Sequence, residues 1–268
     1  MDTPTYVICL EKTRAKRCEP TFAAWKKVLP NTQRLTAITP NDFDLTNVAH
    51  PYARSCIQLK ERKTLEMIGA ATEVACSMSH IKAWTIIAKS GKPGIVVEDD
   101  VAMSERKIQN MIGQLKDMPQ DTEVYLLHFI GINLRSTNLA NGYIDVQRYT
   151  GTQAYWLTPQ AAKKLLQFAF PIVFQVDTYM ARAGLKVRSR KENRMSWLKF
   201  MKDNLGSTLG KNHVSSAMLT MLITIAVLVI VIILLSCLWT GRGMKKRHEL
   251  QDCAQKTKQL ATWKRIHS

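Results

Sequence analysis

Residues Gly94-Ile95-Val96-Val97-Glu98-Asp99-Asp100 set the terms on which this chain can fold. A short apolar run released by the turn Lys92-Pro93-Gly94 reads as a buried strand of a parallel sheet, because a strand covered on both faces has no polar position to spare. The run stops at three adjacent carboxylates, whose mutual repulsion is relieved by a cation or a phosphate-bound cation. Open α/β sheets take their ligands outside the carboxyl ends of such strands, so Glu98 to Asp100 become candidates for a metal-assisted site. A solvated acidic turn explains the same three residues as well.

The flanking segments build an α/β chain around that strand. Thr5 to Leu10, including Ile8, Cys9 and Leu10, is β-rich and leaves no room for a signal peptide ahead of it. A basic stretch from Lys12 to Arg17 leads into a helix through Phe22, Trp25 and Val28, and Thr32 to Ile38 reads as a second strand. Strand, helix, strand opens a nucleotide-binding type of sheet. The basic loop suits a diphosphate, and equally a solvated helix start. Residues 40–60, with Pro40, Pro51 and several Asn and Asp, read as loop, and a helical pattern begins at Glu61. Val74, Met78, Ile81, Trp84 and Ile87 or Ala88 recur as one buried stripe, with Ser79 and His80 between them. A histidine at such a place is either packed into the core or turned to a ligand.

Beyond the acids, Ser104 caps a helix with Ile108, Met111, Ile112 and Leu115 inside. Glu123 to Leu127 is another buried strand, followed by His128 and a loop through Gly131, Asn133, Asn138, Asn141 and Gly142. Tyr143 to Tyr149 reads as an edge strand or hairpin arm and Gly151 to Leu157 as a strand. Thr158-Pro159 starts a helix with Ala161, Leu165 and Phe168 toward the core. Asp177 then follows the apolar run from Val173, as a helix N-cap or as an acid facing the site.

The formal net charge is +17, and basic residues are spread along the chain. That suits an anionic surface or a phosphate-bearing substrate, and no nucleic-acid-binding motif accompanies it. From Lys186 to Lys211 the sequence is basic with Trp197, Leu198, Phe200 and Met201 interleaved, a juxtamembrane composition. No charged residue lies between His213 and Arg242. About twenty apolar residues span the roughly 30 Å hydrocarbon layer of a bilayer, so a single transmembrane helix is expected. The expected divisions are a catalytic domain over 1–190, a juxtamembrane segment over 191–213, a membrane helix over 214–241 and a basic tail over 242–268. Six cysteines without CxxC spacing read as reduced, packed thiols. Positive charge close to the helix favours a cytosolic C-terminus and so a lumenal domain, while reduced thiols and the difficulty of moving a folded domain across a membrane favour a cytosol-facing domain with a C-terminal anchor.

In order along the chain, Tyr6 to Leu10 with Arg17, Glu73 to His80 ahead of Trp84, Ile95 to Asp100, Gly151 to Tyr155, and Ala162 to Leu166 ahead of Val176-Asp177 resemble the family 25 glycosyltransferases over roughly residues 5 to 190. The resemblance implies a GT-A-like nucleotide-sugar-binding fold with a mostly parallel central sheet. It also implies a UDP-sugar donor, commonly UDP-galactose, a divalent metal, usually Mn²⁺, inversion at the sugar, and a glycan, glycoprotein or glycolipid acceptor. It assigns metal binding to Asp100 and Glu98. Donor binding falls to Ile8, Cys9, Leu10, Arg17, Ser79, His80, Glu98 and Asp99. Asp177 is the first candidate for the catalytic base, with Glu73 and His128 behind it. Cys9 stands where the family usually has Asn and Ala75 where it usually has Gly. These departures raise the alternative of a catalytically inactive, membrane-tethered interaction module.

Overall fold

In the computed structural model, which describes residues 3–59, 67–101 and 103–195, β1 (Thr5–Cys9) is buried throughout and lies parallel to β2 (Thr32–Thr36). α1 (Glu19–Val28) connects them, with Pro20 in its first turn, where a missing N–H costs no helical bond. Between β1 and α1 the chain winds through a 3-10 turn (Glu11–Thr13) and a wide π turn (Arg14–Cys18).

That connection overturns one expectation. Cys9 and Cys18 form a disulfide rather than a pair of reduced thiols, whereas Cys56 and Cys76 are free. The strand end and the helix start face each other across the connection, with the two Cα atoms 5.3 Å apart. Residues 40–60 also differ from the expected loop. They hold a 3-10 turn (Pro40–Asp42), α2 (Leu45–Val48) and α3 (Pro51–Leu59). The acids that suggested loop are caps: Asp42 accepts from the Thr39 amide and Asp44 from the Thr46 amide.

α4 (Ala71–Ser90) is enclosed on more than one side, burying Val74, Ala75, Ser77, Ser79, His80, Ile81, Ala83, Trp84 and Ile87 instead of a single stripe. It stops at Gly91, whose φ of +67° gives the left-handed cap, and the chain enters β3 (Gly94–Glu98). Residues 61–66, where the helical pattern was expected to begin, lie outside the described residues. α5 (Glu105–Gly113) starts as expected, with the Ser104 hydroxyl accepting from the Lys107 amide and Ile108, Met111 and Ile112 inside.

The expected loop after His128 is instead the far half of a long hairpin, β4 (Val124–Asn138) and β5 (Tyr143–Leu157). Several register shifts between Leu126 and Ser136 bend it, so the Gly- and Asn-rich sequence carries irregular pairing rather than none. α6 (Pro159–Gln167) is capped by Thr158, and α7 (Val176–Arg182), β6 (Val187–Arg190) and β7 (Arg194–Met195) complete the described chain. Phe168, expected in the core, is 76 % exposed, because α6 ends at Gln167 and the next residue leaves the helical path.

Among the described residues seven strands form one mixed sheet in the order β2-β1-β3-β5-β6-β4-β7, with β4 also pairing β5. β3 runs parallel to β1 but antiparallel to β5, so the acid-bearing strand sits where the sheet changes character. α4, α6 and α7 pack on one face around Trp84, Val96, Leu126, Tyr155 and Leu165. α1 and α5 pack on the other around Trp25, Val97, Ile108 and Trp156. Among the described residues no helix is long and apolar enough to cross a membrane. The expected membrane helix at 214–241 and tail at 242–268 lie outside them, as does the juxtamembrane segment beyond Met195.

A non-reducing digest of the full chain is expected to yield the Cys9 and Cys18 peptides as one linked species. Replacing either cysteine by Ser should lower stability by roughly 2–3 kcal/mol, the chain-entropy value for so short a loop. Alkylation of both cysteines in unreduced protein would contradict the pairing.

Candidate active site

The three acids at the end of β3 point to different partners. Glu98 continues the strand register opposite Ile8. Its Oε1 accepts from the Thr152 hydroxyl at 3.0 Å and lies 3.5 Å from His80 Nε2. Asp99 is buried on the side of β1 and accepts from the Leu10 amide at 2.9 Å. Arg17 bridges the pair that follows: one terminal nitrogen stands 3.1 Å from Asp99 Oδ1 and 3.1 Å from Asp100 Oδ2. From α1, the buried Thr21 hydroxyl donates to the Asp99 carbonyl at 3.0 Å, fixing the turn from below. The acids are therefore held at the sheet edge and not spread through solvent.

Their ionisation follows from these partners. Burial opposes the charge on Glu98, but the bond to His80, the bond from Thr152 and the field of Arg17 outweigh it and hold the carboxyl below its ordinary range. Asp99 is raised by burial, against the Leu10 amide and Arg17. Asp100 is pushed up to about 7, by burial first and then by the charge of Glu98, although Arg17 pulls the other way. One guanidinium does not neutralise this cluster.

His80 is fixed from behind by two aromatic residues that the sequence reading placed in the core or in a motif but not in the site, Trp84 and Tyr155. Trp84 Nε1 donates to the Tyr155 hydroxyl at 2.7 Å, and that hydroxyl lies 2.8 Å from His80 Nδ1, all of it buried. The indole only donates, so the hydroxyl accepts there and sends its own hydrogen to Nδ1. In the neutral imidazole the proton is then on Nε2, facing Glu98. The signal available in the sequence was that a Tyr and a Trp buried in a core must find partners for their polar tips.

Asp177 is not an N-cap. It lies in the first turn of α7, buried, accepting from the Gly151 amide at 2.8 Å and the Thr178 amide at 2.6 Å. Burial raises its carboxyl despite both bonds. Gly151 has a φ of +82°, a left-handed backbone that a side chain would strain, and so glycine is favoured where this amide is presented to Asp177. Glu73 links α4 to α7, accepting from the Gly69 amide at 2.8 Å and from Gln175 Nε2 at 3.1 Å. Glu73, Glu98, Asp100 and Asp177 all act on Cys76, whose thiol is pushed far up by burial and by these four charges. The acids of α4, β3 and α7 thus all bear on one buried thiol between them. Ser79 turns elsewhere, accepting from the Ile38 amide and donating to the Ala75 carbonyl. His128 is buried within β4, and Cys9 is committed to its disulfide.

Among the described residues no group of three or more His, Cys, Asp and Glu side chains is arranged as a metal cage. The donor set nevertheless fits a hard cation that arrives with phosphate oxygens, which needs only one or two protein carboxylates. The raised Asp100 carboxyl beside Glu98 is the observation that favours such a cation.

Comparison with known proteins is informative at the family level. The profile of glycosyltransferase family 25 (LPS biosynthesis protein) matches residues 2–180. No curated protein matches the sequence.

Two outcomes follow from this geometry. An acid whose folded pKa is raised, from 3.8 to about 7 for Asp100, adds stability below pH 4 that is lost as pH rises toward 7. Metal-free Asp100→Asn should therefore match wild type near pH 4 in thermal unfolding and exceed it at pH 8 by about 1–2 kcal/mol, allowing for partial solvent screening. A less stable variant at pH 8 would contradict the account. Tyr155→Phe, which strands the indole N–H and frees Nδ1, should cost roughly 1–3 kcal/mol and shift the His80 ¹⁵N signals away from the Nε2–H tautomer.

Proposed function

The chain belongs to glycosyltransferase family 25, and from that membership we propose that it transfers a sugar, galactose in the first instance, from a UDP donor to a glycan, protein or lipid acceptor with inversion. The observation that carries this reading is the under-neutralised acid cluster at the C-terminal end of β3, with Arg17 suspended between Asp99 and Asp100. A GT-A-like arrangement is supported by the strand–helix–strand opening and by the acids at the end of β3.

On this reading Asp100, with Glu98 beside it, would hold Mn²⁺, and the ion when bound supplies positive charge to the departing diphosphate. The protein's own groups do the rest. Arg17 and the Leu10 amide fix Asp99, so the turn that carries Asp100 does not collapse when the diphosphate enters. The Tyr155–His80 pair keeps a proton on the nitrogen that faces Glu98 and so keeps that carboxylate ionised and oriented. Ile8 and Cys9 form the strand end against which the donor's nucleoside would lie.

Inversion needs a base that removes the proton of the acceptor hydroxyl as it attacks the anomeric carbon from the face opposite the nucleotide. Asp177 is our candidate. Its raised carboxyl is closer to the range of a useful base than an ordinary aspartate, and the Gly151 amide holds it in place. Nearby, Gln153 Oε1 is buried without a hydrogen-bond partner among the described residues, a condition that an acceptor hydroxyl would relieve. Glu73 is less suited, being tied to Gly69 and Gln175.

We place the catalytic unit at a membrane through residues 214–241, as their composition suggests. The Cys9–Cys18 disulfide weighs toward an oxidising side of that membrane rather than the cytosol.

One observation favours a second reading. Arg17 already spans two of the three acids, as it would in an inactive relative that has replaced its cation with a guanidinium. Calorimetry separates the two. An active enzyme is expected to bind UDP with an affinity that rises at least about tenfold on adding Mn²⁺, to turn over a UDP-sugar, and to lose turnover in Asp100→Ala with the fold intact. Absence of metal-dependent binding across a panel of UDP-sugars would reject it.

A further inference from the structure

A cavity of about 640 Å³ is lined by α4, α6, α7 and the segment between the last two, and Asp177 is not among its lining residues. Its apolar lining includes Ile81 and Trp84 of α4, Ile172 and Phe174 of the intervening segment, and Tyr179 of α7. Its size is that of a site for a small amphiphile. The segment at its mouth exposes two large apolar side chains, Phe168 at 76 % and Phe170 at 48 %. Beside them Arg182 stands exposed, its guanidinium 4.6 Å from the centre of the Phe174 ring.

We propose that this cavity takes an acyl chain of an anionic membrane lipid, with the headgroup at Arg182 and Phe168 and Phe170 inserted at the interface. Aromatic residues beside basic ones, over an apolar hollow, are the composition of a surface that lies on a charged bilayer. The charge balance points the same way. From Pro159 to Met195 the chain carries eight Lys and Arg against Asp177 and Glu192, and Asp177 is buried. Lys164 and Lys186 are engaged by Glu123 and Asp121, while Lys163 is exposed on α6. The charged residues that line the cavity, Lys164 and Arg182, are both basic, and residues 196–213 of the same chain carry Lys199, Lys202 and Lys211 against Asp203, so like charge opposes their docking there. The inference draws on none of the acids at β3 and does not depend on sugar transfer.

The test uses the full chain in phosphatidylcholine vesicles doped with a phosphatidylglycerol whose acyl chain bears a photoactivatable diazirine, and maps labelled peptides by mass spectrometry. Labelling is expected within residues 77–84 and 168–184. It should fall about tenfold in Ala183→Trp, which fills the cavity. Arg182→Glu should lower labelling by the anionic probe but not by a phosphatidylcholine probe of the same chain. Circular dichroism and UDP calorimetry on the same variants establish that the fold and the acid site are intact, so a failure here is distinct from a failure of the enzymatic reading. Labelling confined to residues after 195, or unchanged by Ala183→Trp, or equal for the two probes, would overturn the proposal.

Discussion

The guanidinium of Arg17, held 3.1 Å from both Asp99 and Asp100, is the contact on which the site depends. Three acids end β3, and without a cation among them their repulsion would pull the turn from the sheet edge. The acids differ in their support: Glu98 has the His80 side, Asp99 the Leu10 amide and Thr21 beneath its carbonyl, and Asp100 the guanidinium it shares with Asp99. Support is therefore weakest where a ligand would be most useful. Asp100 keeps a quarter of its side chain in solvent and its carboxyl stands near neutrality, so it is the group whose charge a second cation would favour.

Arg17 can act in this way because the chain around it is pinned. The connection from β1 to α1 is short and basic, and its own charges would extend it into solvent. The Cys9–Cys18 disulfide ties the strand end to the helix start one residue beyond Arg17, and both sulfurs are buried in the core shared by α1 and α5. The same core sets the height of β3, since Val97 packs on that face while Val96 packs on the other. Position of the acids, path of the basic turn and packing of the sheet are thus one structure.

What the sequence made legible was whatever depends on local pattern. The opening strand–helix–strand, the Ser104 and Thr158 caps and the strand ending in acids have short-range signatures, and the structure has them. The misses are long-range. Nothing local says that Cys9 meets Cys18, that Tyr155 reaches across to His80, or that the stretch after His128 pairs with residues beyond Tyr143. The Asn- and Gly-rich composition of that hairpin arm hid it, because its pairing is irregular and its apolar alternation weak. Asp42 and Asp44 misled in the opposite sense, since an aspartate that caps a short helix looks the same in sequence as one in a loop. Of the candidate residues, Glu73, Glu98, Asp100 and Asp177 all bear on the Cys76 thiol, whereas Ser79 and Cys9 are spent on the scaffold.

The central claim is that the Arg17-bridged acids form a receiving site for a cation and a diphosphate. A crystal structure of the full chain with UDP and Mn²⁺ tests it directly. The account predicts the ion on Asp100, diphosphate oxygens completing its coordination, and Arg17 drawn off Asp100 toward the phosphates while Asp99 stays bonded to Leu10. A structure in which UDP binds elsewhere, or in which Arg17 still bridges both aspartates with no ion beside them, would contradict it.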